Sequence, residues 1–358
     1  MLVARVIARF EPGGAQLAAL RLIRGLRAHG IASRLLVGEA TRPGLRLLAE
    51  AEIDFEVWGR GRDDLQYACD KRFVSWLRPR LVGADLVHAH MFGAWWAASE
   101  AIAPGIPLVA SEHNAIRWPA TPRLAEMRDA LTRVDAFLAH GPATRATFLG
   151  LGLSPARLCS ARSPIEPPSP RGLADLPRPR IIFTGRLHPE KGPDVLVEAL
   201  GRLRDPAPAF LLGSGRLAFA LRRRICALGR KETVRLVGWQ PRIGPWLCGA
   251  TACVVPSRHE AWSQTAVTAM AHRVPVIASA VEGLPSTLAE RRGVLVAPED
   301  PDELASAIDA VCAGAVGVDL DGAQRYARRF TPRLVAAHYA RIYRRLVARP
   351  GGEVAIAA

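Results

Sequence analysis

The most informative stretch of this chain is IIFTGRLHPEKG, residues 181–192. Its apolar start is typical of a buried strand, and Gly185 follows where the strand needs a turn. Arg186 and Lys191 come next, just before a helical pattern over residues 193–203. A helix N-terminus and two cations at the carboxyl end of a parallel strand favour an anion. A diphosphate fits this arrangement; the simpler interpretation is a tight turn carrying two solvated cations.

Apolar segments and helical stripes alternate on both sides of this stretch, which predicts doubly wound parallel sheets. The stripe over Ala15–His29 is the first helix. The predicted strands are Leu2–Ala8, Ala32–Val37, Asp85–Ala89, Pro107–Ala110, Ala136–Ala139, Ile181–Thr184, Ala209–Leu212, Val234–Val237, Ala252–Val255, Pro275–Ala278 and Val294–Val296.

The alternation fails in a proline-rich segment, residues 164–180, which predicts a linker because proline removes donors and stiffens the chain. We therefore expect an α/β protein with two Rossmann-like domains, residues 1–163 and 181–330. Such sheets bind ligands at the carboxyl ends of their strands. The sequence closes with a predicted helix at 331–348 and a tail at 349–358.

Composition limits the class of protein. With 358 residues, 49% apolar and 23% charged, the chain is typical of a soluble globular protein. It has no apolar run of membrane-spanning length, and Arg5, Arg9 and Glu11 interrupt its N-terminal apolar run, so we expect no membrane span and no signal peptide. The six cysteines are scattered without a C-x-x-C motif. This pattern indicates a cytoplasmic location, with no disulfide frame and no metal site.

The net charge of +15 restricts the partners. Anionic partners of three classes fit it: nucleic acid, an anionic membrane surface, and acidic small molecules. Only 6% of the residues are aromatic and no nucleic-acid-binding motif is present, which argues against nucleic acid. The dense run Arg222-Arg223-Arg224 is compatible with peripheral contact at the inner face of a membrane.

Three strand ends in the first half carry candidate site residues. Gly14 lies in a glycine turn that either lets the backbone approach a ligand or is an ordinary strand-to-helix turn. His88 and His90 end the next candidate strand, where His88 is equally compatible with a core position. His113 lies in a polar cluster that ends at Asn114, and this cluster suits sugar hydroxyl groups.

The second half carries two more strand-end motifs. Gly213 and Gly215 open a G-x-G-x-x-A pattern, which is also the form of a dinucleotide-binding turn. That turn normally belongs to the first strand of its domain and has an acidic partner about 20 residues on, so the NAD interpretation stays secondary. After Ala252–Val255, Glu260 precedes a helix beginning near Ser263. The backbone donors at its start suit a second anion contact, at Ser263, Gln264 and Thr265.

Together these motifs resemble the retaining glycosyltransferase family 4, which has the GT-B fold. The resemblance covers nearly the whole chain, and its Arg/Lys and Pro-Ser…Glu motifs are specific in combination. The matching pieces are Gly13-Gly14-Ala15, Val87-His88-Ala89-His90, Thr184-Gly185-Arg186, Glu190-Lys191-Gly192, Gly213-Ser214-Gly215, Pro256-Ser257 with Glu260, and Ala269-Met270-Ala271 with Pro275-Val276.

The resemblance implies two domains facing a central cleft, a last helix that crosses back to the first domain, and sugar transfer from a nucleoside-diphosphate-sugar to a hydroxyl acceptor without a metal or other cofactor. It implies that Arg186 and Lys191 hold the diphosphate, that Glu260 binds donor sugar hydroxyls, and that His113 lies near the reacting sugar. The implied donor-binding positions are Gly14, Gly185, Gly213, Gly215, Ser263, Gln264, Thr265 and Thr268.

Three positions depart from the family pattern. Thr268 replaces a second glutamate that usually holds the ribose, Arg273 replaces a glycine, and Ser286 replaces another glutamate. A catalytically impaired donor-binding protein is therefore the first alternative, and an NAD-dependent oxidoreductase is the second. The sequence does not distinguish between two classes of acceptor: a lipid-linked intermediate of polysaccharide assembly and a small natural product.

Overall fold

The computed structural model describes residues 1–60, 64–113, 123–173 and 176–348. Asn114 and the expected tail at 349–358 lie outside these residues. The described residues divide into two compact units: unit 1 lies within residues 1–164 and 332–348, and unit 2 lies within residues 165–331. Each unit is a parallel sheet with helices, so the predicted α/β class is confirmed.

Unit 1 contains a seven-stranded sheet in the order β3-β2-β1-β4-β5-β6-β7. Its strands are β1 (Leu2–Phe10), β2 (Ala32–Ala40), β3 (Asp54–Val57), β4 (Leu86–His90), β5 (Leu108–Glu112), β6 (Ala136–Ala139) and β7 (Leu158–Ser160). Its helices are α1 (Gly14–Arg27), α2 (Arg42–Glu50), α3 (Lys71–Leu77), α4 (Phe92–Ala101), α5 (Leu124–Thr132), α6 (Gly141–Gly150) and the terminal helix α14 (Pro332–Ala348).

Apolar side chains on alternate residues of β1 face two helical layers. Val6 and Ala8 pack in the same cluster as Trp95 of α4, whereas Ile7 packs with Ile23 of α1. The helix α14 lies against α1, where Gly25 leaves space for it: a Cβ there would approach the Cβ of Ala336 to 2.9 Å. The buried surface on both faces explains why most positions of the central strands are apolar.

Unit 2 contains a six-stranded sheet in the order β10-β9-β8-β11-β12-β13. Its strands are β8 (Ile181–Thr184), β9 (Ala209–Leu212), β10 (Val234–Gly238), β11 (Ala252–Val255), β12 (Val276–Ser279) and β13 (Val294–Val296). Its helices are α7 (Pro193–Gly201), α8 (Ala218–Ala227), α9 (Gly244–Leu247), α10 (Gln264–Ala271), α11 (Leu284–Leu288), α12 (Pro301–Cys312) and α13 (Leu320–Arg328).

The proline-rich segment predicted as a linker belongs mostly to unit 2. Its Glu166 carboxylate accepts hydrogen bonds from the backbone N–H groups of Ile243 and Gly244, both at 3.0 Å. The backbone N–H of Ser169 donates to Nε2 of His272 at 2.9 Å. These contacts attach the first part of the segment to the body of unit 2.

Candidate functional site

The two motifs of unit 2 meet where the direction of its strand order reverses. Strand β8 is paired with β9 on one side and with β11 on the other, so the order runs opposite ways from this point. Such a switch point opens a crevice beyond the carboxyl ends of the two strands. The loop after β8 carries Arg186 and Lys191, and the loop after β11 carries Glu260.

Lys191 and Glu260 form an ion pair across this crevice. The Nζ atom of Lys191 donates to Oε2 of Glu260 at 2.8 Å, and the hydroxyl of Ser257 donates to the same oxygen at 3.3 Å. The two charged side chains keep 23% and 11% of their exposure, so both are reachable from solvent but partly desolvated. A cation and an acceptor in this arrangement can bind a phosphate and a hydroxyl group side by side.

Arg186 lies at the rim of the same crevice. Its guanidinium group donates to the Glu190 carboxylate one helical turn further along the loop, and half of the side chain is exposed. The exposed part of the guanidinium group can therefore reach an anion, with Glu190 orienting it.

Arg258 joins the two loops and was not among the sequence candidates. It donates to both carboxylate oxygens of Asp194, at 3.0 and 2.7 Å, and to Glu299 at 2.6 Å. Its backbone N–H donates to the carbonyl oxygen of Glu190 at 2.9 Å. Although burial opposes ionisation, the hydrogen bonds and charge of Arg258 hold the pKa of Asp194 below its ordinary value. The bidentate contact fixes the start of α7 against the β11 loop and so positions Lys191 near Glu260.

Glu282 supports the second loop. Its Oε2 accepts from the backbone N–H of Glu260 at 3.0 Å, and its Oε1 lies 3.6 Å from Nδ1 of His259. Glu282 was not among the residues that the sequence pattern singled out. Glu282 lies 22 residues after Glu260, in the loop that follows β12. Its place beside Glu260 becomes visible only in the fold, because β12 is the neighbour of β11 in the sheet.

Three glycines of these motifs allow close backbone packing. Gly213 has φ +153°, and a Cβ there would overlap the carbonyl oxygen of Gly185. Gly215 similarly lies against the carbonyl oxygen of Leu187, and Gly192, with φ +59°, lies against that of Pro256. Gly213 and Gly215 therefore allow their own backbone to pack closely against the turn that follows β8.

The helix α10 begins beside β8. The Ser263 hydroxyl accepts from the backbone N–H of Ala266 at 3.3 Å and caps the helix, while the Thr265 hydroxyl donates to the carbonyl oxygen of Thr184 at 3.1 Å. Both side chains are thus engaged within the protein. Gln264 is half-buried and Thr268 is buried.

The other two departures have local structural consequences. Arg273 adopts a left-handed backbone conformation with φ +59° after the end of α10, where a glycine is the favourable residue. Ser286 donates to the carbonyl oxygen of Gly283 at 2.9 Å, so its hydroxyl serves α11.

Unit 1 carries its own polar group of residues at the ends of β4, β5 and β6. His113 is half-buried; its Nε2 lies 3.4 Å from Nδ1 of His90, and its ring stacks on His140 at a centroid distance of 4.3 Å. Desolvation lowers the pKa of His113 to about 4, so the ring is neutral near pH 7. Gly14 is exposed and is the first residue of α1, after Gly13 at the N-cap.

Among the described residues, no cluster of His, Cys, Asp or Glu has the arrangement of a metal site. In the same part of the chain, no helix has both the length and the apolarity that crossing a membrane requires.

Comparisons with known proteins agree with the fold. Residues 12–166 match the family model described as Glycosyltransferase Family 4, and residues 178–313 match the model described as glycosyl transferases group 1. A D-inositol 3-phosphate glycosyltransferase of Salinispora tropica is 32% identical over 290 residues, covering 72% of this chain and 58% of the relative. One of Jonesia denitrificans is 33% identical over 180 residues, covering 46% of this chain and 42% of the relative. The chain thus spans about half the length of these relatives.

Solved structures show the same architecture. Anabaena Alr3699/HepE in complex with UDP has a TM-score of 0.77 at 20% identity, covering 97% of this chain and 100% of that one. The sucrose-phosphate synthase of Thermosynechococcus elongatus has a TM-score of 0.75 at 21% identity, covering 97% and 99%. At these identities the likeness establishes the fold.

Proposed function

Because this chain belongs to the group 1 glycosyltransferases, also called glycosyltransferase family 4, we propose that it moves a sugar from a nucleoside-diphosphate-sugar to a hydroxyl acceptor. The observation that carries the proposal is the Lys191–Glu260 pair at the switch point of the unit 2 sheet. This pair sets a phosphate-binding cation and a hydroxyl-binding carboxylate side by side, as a nucleotide-sugar requires.

Lys191 and Arg186 are proposed to bind the donor diphosphate. When the bond between the sugar C1 and the phosphate oxygen breaks, negative charge develops on the leaving nucleoside diphosphate. Two cations held in a partly desolvated crevice stabilise that charge more strongly than water does. Their charge replaces the metal that many phosphate-binding sites use, so the proposed reaction needs neither a metal nor another cofactor.

Glu260 is proposed to accept hydrogen bonds from the donor sugar. Its Oε2 accepts from Lys191 and Ser257, and no contact of Oε1 is recorded within the described part of the chain, so Oε1 is the proposed acceptor for a sugar hydroxyl. Glu282 and Arg258 hold the backbone of the same loop. A carboxylate whose backbone is fixed on both sides loses little entropy when it orients a sugar ring.

The chemical step is proposed to retain the anomeric configuration. The acceptor oxygen attacks C1 from the face that the phosphate leaves, through an oxocarbenium-like state, and the leaving phosphate oxygen takes the acceptor proton. His113, as a neutral imidazole, is proposed to hydrogen-bond the reacting sugar. The test is the anomeric configuration of the product by NMR; inversion would contradict this step.

The remaining donor contacts are proposed from backbone groups. Ser263 and Thr265 use their side chains internally, so their contribution to a phosphate comes from N–H groups at the start of α10, together with Gln264. Gly185 and Gly14 allow close approach, whereas Gly213 and Gly215 act through the packing of the β8 turn. Thr268 is proposed to replace the ribose-binding glutamate with a single hydroxyl group.

The acceptor class is proposed from the relatives. Those compared above are named D-inositol 3-phosphate glycosyltransferases, and WaaG, a solved neighbour with a TM-score of 0.73, is a glycosyltransferase involved in lipopolysaccharide biosynthesis. A polyol phosphate is the first acceptor to test, followed by a lipid-linked sugar and a small natural product. For a lipid-linked acceptor, a cytoplasmic protein with peripheral contact at an anionic membrane is proposed, tested by salt-sensitive co-sedimentation with anionic vesicles.

Thermal denaturation with UDP, GDP, dTDP, ADP and NAD tests the donor site. We expect one nucleoside diphosphate to raise the melting temperature of the wild type but not of Lys191→Ala, because a ligand that binds only the folded state stabilises it by mass action. The control is Lys231→Ala, whose side chain is 71% exposed beside Glu232. Stabilisation by NAD alone would support the oxidoreductase alternative. Binding of a diphosphate without transfer to any acceptor tested would support the catalytically impaired one.

A further inference from the structure

A continuous row of polar side chains crosses one face of the unit 1 sheet. Strands β1, β4 and β5 are neighbours, with Arg5 opposite His88 and His90 opposite Ser111. Because side chains alternate between the two faces of a strand, these four residues point to the same side. All four are buried, in a sheet whose other inward positions are mostly apolar.

Arg5 is the charged end of this row. It is fully buried, and its Nη1 lies 3.1 Å from Nδ1 of His88 and 3.4 Å from Nε2 of His90. Its Nη2 donates to the hydroxyl of Tyr343, on α14, at 2.8 Å. These recorded partners are all neutral groups, and Nε has none within the described residues. A guanidinium group has N–H donors and no acceptor atom, so Arg5 can only donate hydrogen bonds.

This restriction determines where the histidine protons lie. Since Arg5 donates to Nδ1 of His88 and Nε2 of His90, both of these nitrogens must be bare. A neutral imidazole has one N–H, so His88 carries its proton on Nε2 and His90 carries its proton on Nδ1. The geometry agrees: Nε2 of His88 lies 3.2 Å and Nδ1 of His90 lies 2.8 Å from the Ser111 hydroxyl oxygen, which can accept from both.

The same N–H of His90 faces His113. Their Nδ1 and Nε2 atoms are 3.4 Å apart, so a proton on the His90 atom leaves Nε2 of His113 as the acceptor. His113 then carries its own proton on Nδ1. We propose that Arg5 is a positioning residue that, acting through His90, holds His113 as a neutral imidazole protonated on Nδ1. This inference rests on the proposed function for its catalytic consequence, but its structural content does not.

The surroundings keep the row neutral. Burial, neighbouring histidines and Arg5 hold the pKa of His88 and of His90 well below the ordinary value. The groups around His88, His90 and His113 are Arg5 from β1, Ser111 and Glu112 from β5, His140 after β6, and Tyr343 from α14, whose hydroxyl oxygen lies 2.7 Å from Nδ1 of His88. The Glu112 carboxyl group accepts from the backbone N–H of His113, and burial raises its pKa to about 8, so it is neutral near pH 7. Among these described neighbours no ionised carboxylate offsets Arg5, so protonating either ring would add a second buried charge beside the first.

Histidine-ring NMR tests the inference on the full chain without any ligand. Two-bond ¹H–¹⁵N spectra distinguish the two tautomers and the cation, and His113→Gln assigns the His113 signals. We expect wild-type His113 to carry its proton on Nδ1 and to stay neutral at pH 6. In Arg5→Met we expect part of His113 to move to the Nε2–H form and its titration to shift to higher pH.

The control is His338→Gln, because His338 lies on the same helix as Tyr343 but contacts the carbonyl oxygen of Ser160. We expect His113 to be unchanged in this variant; a change there would overturn the assignment to Arg5. Wild-type His113 protonated on Nε2, or an unchanged His113 in folded Arg5→Met, would also overturn it. If Arg5→Met fails to fold, the wild-type spectrum alone still decides the tautomer.

Kinetics separate this inference from the proposed function. If the protein transfers sugar, Arg5→Met should lower kcat about tenfold or more, with the donor KM unchanged and the acid limb of the pH profile shifted to higher pH. Loss of donor binding in Lys191→Ala tests the proposed function independently, because Lys191 lies in unit 2. An unaltered pH profile in an active Arg5→Met enzyme would overturn the positioning role and leave the proposed function intact.

Discussion

The ammonium group of Lys191 lies 2.8 Å from the Glu260 carboxylate, although 69 residues separate them in the sequence. Each comes from the loop after one of two adjacent parallel strands, β8 and β11. The pair therefore exists because the strand order reverses between these two strands. The ion pair orients Lys191 and Glu260 before a donor binds. In the proposed reaction the donor diphosphate then competes with the Glu260 carboxylate for the Lys191 ammonium group.

Glu260→Gln should separate catalysis from folding. It keeps the shape of the side chain but removes its charge, and we expect the free energy of unfolding to change by about 1 kcal/mol because the pair is partly exposed. Turnover should fall by about two orders of magnitude, since the oriented carboxylate is lost. Urea denaturation and steady-state kinetics measure the two effects, with Glu232→Gln as an exposed control. A stability loss that accounts for the lost activity would contradict the assigned role.

The clamp between Arg258 and Asp194 should contribute to stability in a pH-dependent way. We expect Arg258→Ala to lose about 1–2 kcal/mol at pH 7, because both side chains are partly exposed. The folded-state pKa of Asp194 is lowered, so its contribution is present above its unfolded pKa of about 3.8 and disappears as the pH falls through the folded value. The stability difference between wild type and variant should therefore shrink below about pH 4. A difference that stays constant down to pH 2 would exclude this mechanism.

Arg273→Gly should stabilise the protein. Arg273 has φ +59°, a conformation that costs an L-residue about 1 kcal/mol and glycine almost nothing. The variant loses an exposed ion pair with Asp321, which contributes little. We expect a net gain of about 0.5–1 kcal/mol in thermal or urea denaturation. Asp321→Asn isolates the ion pair; a loss in Arg273→Gly larger than in Asp321→Asn would refute the backbone argument.

Glu112→Gln should reveal a buried neutral carboxyl group. Burial raises the pKa of Glu112 to about 8 from an ordinary value of 4.5, against the opposing hydrogen bond from Trp95 at 3.4 Å. The folded state therefore favours the protonated form. Its stabilising contribution is complete below about pH 4.5 and is lost as the pH rises through about 8.

Relative to the wild type, the Gln variant should gain on the order of 3 kcal/mol of stability between pH 5 and pH 9. Urea denaturation at several pH values measures this difference. The exposed substitution Asp129→Asn serves as a control without such a trend. A pH-independent difference between wild type and Glu112→Gln would show that Glu112 is already ionised at pH 5.

Much of the fold follows from local patterns. The bounds of the central strands of both sheets were predicted to within three residues, because strands buried on both faces read as continuous apolar runs. The edge strands β3 and β7 were missed. Asp54–Val57 is only half-buried and Leu158–Ser160 has three residues, so neither differs from a loop in a one-dimensional pattern.

Some residues of the candidate site could be predicted from the sequence, and others only from the structure. Arg186, Lys191 and Glu260 could be chosen from their positions after predicted strands. Arg258 and Glu282 could not, since their importance comes from contacts with Asp194 and with the backbone of Glu260. The sequence pattern predicts close approach of a ligand at Gly213 and Gly215, and this stays a prediction; the structure adds that both glycines pack closely against the turn after β8.

Four properties could be read from the linear chain: the alternation of strands and helices, the two-sheet class, the family, and the residue types at each strand end. They depend on periodicity and on neighbouring residues, which a linear chain contains in full. The side-chain contacts came from the folded structure: Lys191 with Glu260, Arg258 with Asp194, and Arg5 with His88, His90 and Tyr343. Such contacts depend on strand order, on strand register and on the packing of α14. They bring together residues that are far apart in the sequence, and these residues become neighbours only when the sheets form.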